Sequence, residues 1–538
     1  MKKILKSATA FVLAITMAVT LAFVPVSSVE ALGASIATGI DVSKHQGAIN
    51  WGQVAGSGVK FAFIKAGSSK SGVDPYFDAN MKGAQAAGIK TGVYLYSYAN
   101  SVEEAANEAN TLVGWLSNYT VNYPVVYDVE DSNHTKLSNE QLVAMVNTFC
   151  SIVSAAGYYP MVYSYRNFFN GKLSNVGYDK WVADYSGSCQ YNNNTCFWQS
   201  SSHGSISGIS TREDLNYQYK DYSSLIISDG FLQRGEYVYY FAGYKMQRGW
   251  VAANDTKYYL DAAGHLQKGW LTLDTGTYYL TPGDGQIARG QYAVEDGNYY
   301  FDAEGVKRTG WITVADRLFY HDAANDGKMW TGWLNLDGAT YYMAPEDGHM
   351  LTGENTLGGS IYNFGGDGKL LRGWSTIAEG VKCYYDPTTG AKAFGWLPDE
   401  TGTHYLAKED GHMVTGAITI EKANYYFDAN GIMQTGVVKL AEGDYYYSPA
   451  DGKLQTGWIV LEKQTMYAVP SGQLVKGMAT IDKVNYYFDE TGNMAVNTTV
   501  TVDGVTYVVA ADGVATVPTP EVAADPAAAT AAATAQAK

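Results

Sequence analysis

The chain has 538 residues, too many for one hydrophobic core, so two or more domains are expected. It carries 37 Lys and Arg against 53 Asp and Glu, a formal net charge of -16 at pH 7, which argues against nucleic acid as a partner. Its 44 Tyr and 58 Gly, without a matching rise in Leu, point to many small aromatic contact surfaces in place of large aliphatic cores.

The N-terminus places Lys2, Lys3 and Lys6 before an apolar run over residues 8–24, followed by Pro25 and small residues ending at Ala31. This is the layout of a secretory signal peptide, residues 1–31, so the mature chain is expected outside the cell without a membrane anchor. An uncleaved anchor is the alternative, because the run is just long enough to span a bilayer. Cys150 falls on an apolar helical face and is expected to be a buried thiol. Cys189 and Cys196 bracket a short polar loop and would suit a hairpin disulfide in an exported protein. No spacing suggests a metal site, and no cofactor is expected.

From residue 38 to about 222, short apolar runs alternate with amphipathic stretches. Strands are predicted at 39–42, 60–65, 92–98, 124–130, 159–164, 180–185, 197–200 and 214–217. Helices are predicted at 51–55, 76–87, 102–117 and 139–156, with a short one near Phe168. Helices separate the early strands and loops join the last three. The alternation implies a parallel sheet closed into an α/β barrel that lacks its last helices.

In such barrels the functional residues gather at the C-terminal ends of the strands. That rule places Asp41, Lys65, Tyr94 or Tyr96, Asp128, Glu130, Tyr163, Asp184 or Tyr185, Gln199 and Asp214 around one mouth. Along the run Pro124 to Asp131, alternate side chains share a face, so Asp128 and Glu130 point the same way with Cβ atoms roughly 7 Å apart. Like charges that close disfavour double ionisation, leaving one acid and one carboxylate, the pair that glycoside hydrolysis requires. No His with a Ser partner stands at a strand end, and no Gly-rich phosphate loop is present, so acyl and phosphoryl transfer are poorly supported. His45 and His134 lie in loops and are expected to be solvated.

Several motifs in order, Gly39-Ile40-Asp41-Val42-Ser43, Gln46-Gly47, Ile49-Asn50-Trp51, Phe63-Ile64-Lys65-Ala66, Asp128-Val129-Glu130, Trp181-Val182-Ala183, Trp198-Gln199 and Asp214-Leu215-Asn216, resemble the glycoside hydrolase family 25 lysozymes. The resemblance covers nearly all of residues 36–222. It implies a flattened TIM-like barrel of five βα units plus three strands, and cleavage of the β-1,4 bond between N-acetylmuramic acid and N-acetylglucosamine. It further implies that Glu130 is the general acid, with Asp41, Asp128 and Asp214 completing an acidic cluster. The substrate-binding set expected around them is Lys65, Tyr94, Tyr96, Tyr163, Tyr185, Trp198 and Gln199. Whether Asp128 attacks the anomeric carbon or steadies the substrate's own N-acetyl group is left open by the spacing; the resemblance favours the second. Two departures stand out: Leu95 where the family often has His, and Ser200 where an aromatic is common. Both are expected to line the cleft.

Beyond Tyr222 the helical pattern ends and a short linker, 221–230, leads to a repeat of Gly-Trp, a spacer, Tyr-Tyr-x-Asp and Gly. The anchoring glycines fall at 249, 269, 290, 310, 332, 353, 373, 395, 416, 436, 457 and 477, steps of 20 to 22 residues. Each unit is too small to bury a core and reads as a β-hairpin in an all-β hairpin-repeat solenoid, residues 229–516. These units resemble the repeats of choline-binding proteins, in which aromatics cage a quaternary ammonium through cation–π attraction. The wall-ligand set expected on that basis is Trp250, Trp270, Trp311, Trp333, Trp374, Trp396 and Trp458 with Tyr259 and Tyr279. Every third Trp is missing in the first nine units, where Gln291, Glu354 and Ala417 stand. The family usually writes Trp-Tyr-Tyr, whereas these units offer Thr277-Tyr278-Tyr279 or Asn298-Tyr299-Tyr300. A neutral glycan therefore rivals choline as ligand.

Residues 517–538 are Pro, Ala and Thr with little else and are expected to be disordered. The combined reading is a secreted peptidoglycan hydrolase held on a bacterial cell wall by a choline-bearing or other wall polymer. Its rivals are a catalytically silent wall adhesin and a hydrolase of another amino-sugar polymer.

Overall fold

The computed structural model describes residues 32–519 and divides into two compact units. The expected signal peptide, and all but the first residues of the expected tail, lie outside the described residues. The first unit runs to Tyr292 and includes Phe301–Lys307; the second holds Ala293–Tyr300 and the chain from Arg308.

The first unit opens with nine strands: β1 (Ala37–Val42), β2 (Phe61–Ser68), β3 (Gly72–Val73), β4 (Lys90–Tyr96), β5 (Val125–Asp128), β6 (Pro160–Tyr165), β7 (Lys180–Ala183), β8 (Thr195–Gly204) and β9 (Glu213–Gln218). Five helices alternate with them: α1 (Trp51–Gly56), α2 (Phe77–Ala86), α3 (Val102–Leu116), α4 (Asn139–Ala155) and α5 (Arg166–Asn170). The sheet order is β1-β9-β8-β7-β6-β5-β4-β2-β3, and β1 also pairs with β2, so eight strands close a ring while β3 folds back on β2 as a small hairpin. The ring is parallel, as the alternation implies, except at its last strand. β9 runs antiparallel to both β8 and β1, because no helix follows β8 to carry the chain back across the barrel.

Alternation along the strands builds two cores. Phe61, Phe63, Val126, Met161, Trp181 and Phe197 point inward, where Phe63 stacks on Trp181 at 4.4 Å between ring centres. Their neighbours Ala62, Ile64, Leu95, Tyr127 and Val182 point outward against Leu112, Phe149 and other apolar helix residues. Each Phe, Val, Met, Ile or Leu among them contributes about 1.5–3 kcal/mol when fully buried. The inner layer is tight enough to require glycine. A Cβ on Gly92 would lie 2.5 Å from the Phe63 ring, and one on Gly39 2.4 Å from Phe61. Ser101 caps α3 by accepting from the Glu104 amide at 3.1 Å, and Ser138 with Gln141 forms a reciprocal capping box on α4.

The segment after the barrel does not swing free. A three-stranded sheet, Gly230–Arg234, Tyr237–Ala242 and Lys245–Met246, docks on the ends of α3 and α4. Arg234 donates to the carbonyls of Gly157 and Leu225, both at 3.2 Å, Lys245 to Ser117 at 2.8 Å, and Arg248 to Ala155 at 3.1 Å. Cations there satisfy carbonyls left over at helix C-termini and oppose the helix dipoles. Gly157, with φ of 100°, lets Met246 approach so closely that a Cβ would lie 2.6 Å from it.

From residue 230 onward the described chain folds into fourteen small antiparallel sheets, most of them two-stranded hairpins, as the repeat predicts. Two of these escaped the Gly-Trp pattern, because Phe231 and Thr499 occupy the Trp position. Turns such as Asn254-Asp255, with φ of 50° and 60°, have the left-handed pair that two-residue hairpins favour.

Arg234→Met should lower the thermal stability of the barrel by roughly 1–3 kcal/mol, the scale of hydrogen bonds from a charged donor. Thermal unfolding of the full chain measures it, and an unchanged barrel transition would mean that the docked sheet does not support the barrel.

Candidate functional site

β1, β5 and β9 deliver four carboxyls to one mouth of the barrel. Asp41 lies near the end of β1, Asp128 closes β5, and Glu130 follows two residues later, just past the strand. Asp214 sits at the start of β9, directly across from Asp41 in the strand register. A residue at a strand's start reaches this mouth only because β9 is antiparallel. A cleft of about 410 Å³ contains these four acids together with Lys65, Tyr94, Tyr96, Tyr163, Tyr185 and Gln199.

Each acid is buried to a different degree and held differently. Asp41 is 6% exposed, and its Oδ1 accepts from Gln199 Nε2 at 3.0 Å and Asn216 Nδ2 at 2.7 Å. Hydroxyls of Tyr163 and Tyr185 donate to the Gln199 carbonyl at 2.7 and 2.6 Å, and Trp181 Nε1 donates to Asn216 at 2.7 Å, so both amides keep their nitrogens turned to Asp41. Burial, then the charge of Asp214, pushes Asp41 well above the usual carboxylate range despite those donors. Burial also raises Asp214, against a hydrogen bond with Asp41 and the neighbouring His203. Asp128 is pushed well up by burial, then by Glu130, against the opposing pull of Lys65. Its Oδ1 has no hydrogen-bond partner among the described residues. Glu130 is raised by burial, with the Tyr165 hydroxyl and Lys65 drawing it back. All four carboxyls are thus shifted toward their protonated forms, and Glu130 is one of those that line the cleft.

Three expected cleft residues are elsewhere. Trp198 alternates with Gln199 and faces out, donating to the Asp184 carbonyl at 2.7 Å and stacking on Tyr217 at 5.4 Å. Leu95 is wholly buried in the layer under the helices, and the Ser200 hydroxyl bonds the Leu215 carbonyl at 3.2 Å. Asp184 pairs with Arg166 at 3.0 Å, outside the cleft. His134, expected in solvent, is fully buried in a short 3₁₀ turn with Nε2 3.1 Å from the Ala99 carbonyl, while His45 is exposed and borders the cleft. Cys189 and Cys196, whose spacing would suit a disulfide, are both free thiols, the second inside the barrel core. Cys150 is the buried thiol expected, its ionisation pushed up by burial.

Sequence reasoning missed Tyr165, two residues after Tyr163 and so on the same face of β6, a signal that was available. It also missed the positioning roles of Trp181 and Asn216, and Glu213. The Glu213 side chain is fully buried, has no side-chain partner for either oxygen, and is pushed up to about 9 by burial and then by Asp41 and Asp214.

In the repeats, each Trp faces a Tyr across its own hairpin and meets a ring from the next. In the first unit Trp250 meets Tyr259 at 5.2 Å and Tyr278 at 4.9 Å, and Trp270 meets Tyr279 at 5.0 Å and Phe301 at 5.9 Å. In the second unit Trp333 meets Tyr342 and Tyr362, both at 5.0 Å, and Trp396 and Trp458 repeat the pattern with Tyr425 and Tyr486 at 4.9 Å. Trp311 pairs with Tyr341 in the same way, but Trp374 meets His404 at 4.8 Å. For Trp250, Trp311, Trp396 and Trp458 the ring met in the following hairpin is the first Tyr of its Tyr-Tyr pair. Not every position is apolar. Lys307 lies 5.0 Å over the Trp270 ring, and Glu354, at a Trp-less position, pairs with Lys392 at 2.5 Å and accepts from Tyr385 at 2.7 Å.

Residues 40–209 match the family described as glycosyl hydrolases family 25. Residues 249–266 and 331–350 match a putative cell wall binding repeat, and 414–456 a choline-binding repeat. The uncharacterized protein YegX of Escherichia coli K12 is 34% identical over 188 residues, 33% of this chain and 68% of that one. The autolytic lysozyme of Clostridium acetobutylicum is 30% identical over 182 residues, 33% and 54% of the two chains. Lysozyme M1 of Streptomyces globisporus is 31% identical over 196 residues, 33% and 66%.

The buried Glu213 sets a pH dependence of stability. Folded, it keeps its proton up to about pH 9; unfolded, it loses it near the usual value of about 4.3. Between those limits the folded state binds more protons, so this group's contribution to stability falls as pH rises. Glu213→Gln should therefore leave the Tm close to wild type at pH 4 and raise it progressively toward pH 8. A Tm difference that does not change with pH, read by thermal scans, would contradict this.

Proposed function

The chain belongs to glycosyl hydrolases family 25, and from that premise we propose that its cleft cleaves the β-1,4 bond between N-acetylmuramic acid and N-acetylglucosamine in peptidoglycan. It is a glycoside hydrolase of the lysozyme kind with cell-wall-binding repeats, associated with the cell wall. In this reading, residues 1–31 are the signal peptide that directs export and is then removed, 36–222 the catalytic domain and 229–516 the wall-binding array.

Glu130 donates its proton to the glycosidic oxygen. What supports this is its position at the open side of the acid cluster, with three carboxyls near it and burial raising its proton affinity. Asp128 steadies the substrate's N-acetyl group as the acetamide oxygen attacks the anomeric carbon. The unpartnered Asp128 Oδ1 is suited to accept the acetamide N–H. A donor arriving there favours the charged form of Asp128, whose charge in turn favours the protonated form of Glu130. Asp41 and Asp214, linked by a hydrogen bond and facing each other in register, stand beside the developing oxocarbenium ion, where carboxylate charge would stabilise it. Lys65, whose ammonium lies 4.8 Å over the Tyr96 ring, draws Asp128 and Glu130 toward their charged forms.

For the array we propose a choline-bearing wall polymer, bound where a Trp and two Tyr meet edge to face. An exposed cation–π contact contributes about 0.5–1 kcal/mol, so several weak sites must act together.

Glu130→Gln should reduce wall clearing by about 10²–10⁴-fold, the range of general acid catalysis, while the protein still sediments with walls. Undiminished clearing would remove Glu130 from its role. The released fragments should end in reducing muramic acid by mass spectrometry; reducing glucosamine would reject the bond assignment. Free choline should elute the full chain from walls, and Trp333→Ala with Trp396→Ala should lower the choline needed. Elution by glucan and not by choline would reject the choline reading.

A further inference from the structure

The loops after β2 and β4 enclose a second cavity of about 430 Å³ beside the catalytic cleft. Ser69 and Lys70 come from the β2–β3 hairpin, Tyr98 and Asn100 from the loop after β4, and Asn107 and Trp115 from α3. Since strand ends point to the mouth, the cavity continues the cleft outward along the same two strands.

A line of tyrosines joins them. Tyr94, Tyr96 and Tyr98 recur every second residue and therefore share a face of the extended chain. Tyr94 packs on Trp181 in the barrel at 6.1 Å, Tyr96 borders the catalytic cleft, and Tyr98 lies 4.9 Å from Tyr96 and lines the second cavity. Two lysines follow the same line, Lys65 over Tyr96 at 4.8 Å and Lys70 over Tyr98 at 3.7 Å.

The floor is built, not accidental. Glu108 on α3, 2% exposed, accepts from Ser69 Oγ at 2.6 Å and from the Tyr98 amide at 2.9 Å with one oxygen. Its other oxygen accepts from Ser97 Oγ at 2.8 Å and Tyr127 OH at 2.9 Å. A single buried carboxylate thus fixes both loops that wall the cavity, and four donors offset the cost of burying it.

We propose that this cavity seats the peptide branch of the glycan strand, with Lys70 meeting a carboxylate of the branch and Asn100 and Asn107 meeting its amides. The proposal rests on the reading of the neighbouring cleft as a peptidoglycan glycosidase site. A strand laid across the mouth is neutral along its sugars and anionic only on its branches. Two acids also line the cavity, but Glu108 is held by the four donors of its floor and Glu104 accepts from the Asn100 amide, so Lys70 is left to receive a carboxylate that the four acids of the cleft repel. Trp115 offers the apolar surface that a short side chain of the branch would cover.

The test compares glycan strands carrying peptide with the same strands stripped of it. The full chain should show a higher kcat/KM on the peptide-bearing strands. Lys70→Met should lower that ratio roughly five-fold, the scale of one partly exposed ion pair, and Lys70→Arg should restore it. A ratio of one in the wild type, or a ratio unmoved by Lys70→Met, overturns the proposal. Calorimetric titration of the free stem peptide into the full chain gives an independent reading: binding to wild type but not to Lys70→Met supports it, and no binding to wild type overturns it. Peptide binding without turnover of either strand would overturn the glycosidase reading and leave the cavity's assignment standing.

Discussion

The site depends on the pairing of Asp41 with Asp214 across the seam where β9 closes on β1. Six neighbouring pairs in the ring are parallel and send their C-terminal ends to the mouth; the last strand enters in the opposite sense and so delivers its first residues there. Without that reversal Asp214 would lie at the far end of the barrel. Two carboxyls held in register and buried together cannot both ionise freely, and the amides of Gln199 and Asn216 are placed to stabilise the charge that remains. Those amides are oriented in turn by two tyrosines and a tryptophan of the inner layer, so the packing of the barrel interior reaches the acids through fixed hydrogen bonds.

Much of this was legible in the sequence because the barrel strands obey a period of two. All eight predicted strands and all five predicted helices are present, most with ends shifted by one or two residues. Where sequence reasoning failed, it applied the strand-end rule without the alternation. Leu95 and Trp198 stand at strand ends, yet each has its neighbour, Tyr94 or Gln199, on the inner face and must itself point out. His134 was misread for a different reason. A polar loop residue looks solvated until the helix and strands around it are assembled, and nothing local in the sequence announces the Ala99 carbonyl that receives it. Glu213 is similar, since a Glu-Asp pair at a strand start gives no sign of which carboxyl is buried. The free thiols Cys189 and Cys196 show the limit of spacing arguments, because two cysteines across a short loop can belong to different layers.

The repeats show the same alternation at smaller scale. Each hairpin sets Trp opposite Tyr in register, and the next hairpin closes the group with another ring, so no hairpin completes an aromatic group alone. The units that lack Trp are not merely degraded. Glu354 carries an ion pair in place of an indole, and Lys307 places a cation of the chain itself over Trp270, so neighbouring positions differ in what they can accept. Variation of this kind in an array lets affinity be spread unevenly along one molecule.

The sheet docked on α3 and α4 changes how the enzyme can search a wall. A slack connection would let the mouth sweep a volume around whatever point is held. Here Arg234, Lys245 and Arg248 lock the start of the array to the helix ends, at the face of the barrel away from the mouth. Within the first unit the connection is therefore a strut, with Trp250 and Trp270 in one compact body with the cleft. A strut restricts the bonds within reach of one foothold to a narrow zone at fixed stand-off, and progress along the polymer must come from letting go and gripping again. Grip too tight would stall the enzyme where it landed, so the proposed division of wall attachment among many weak aromatic contacts would also have a kinetic reason.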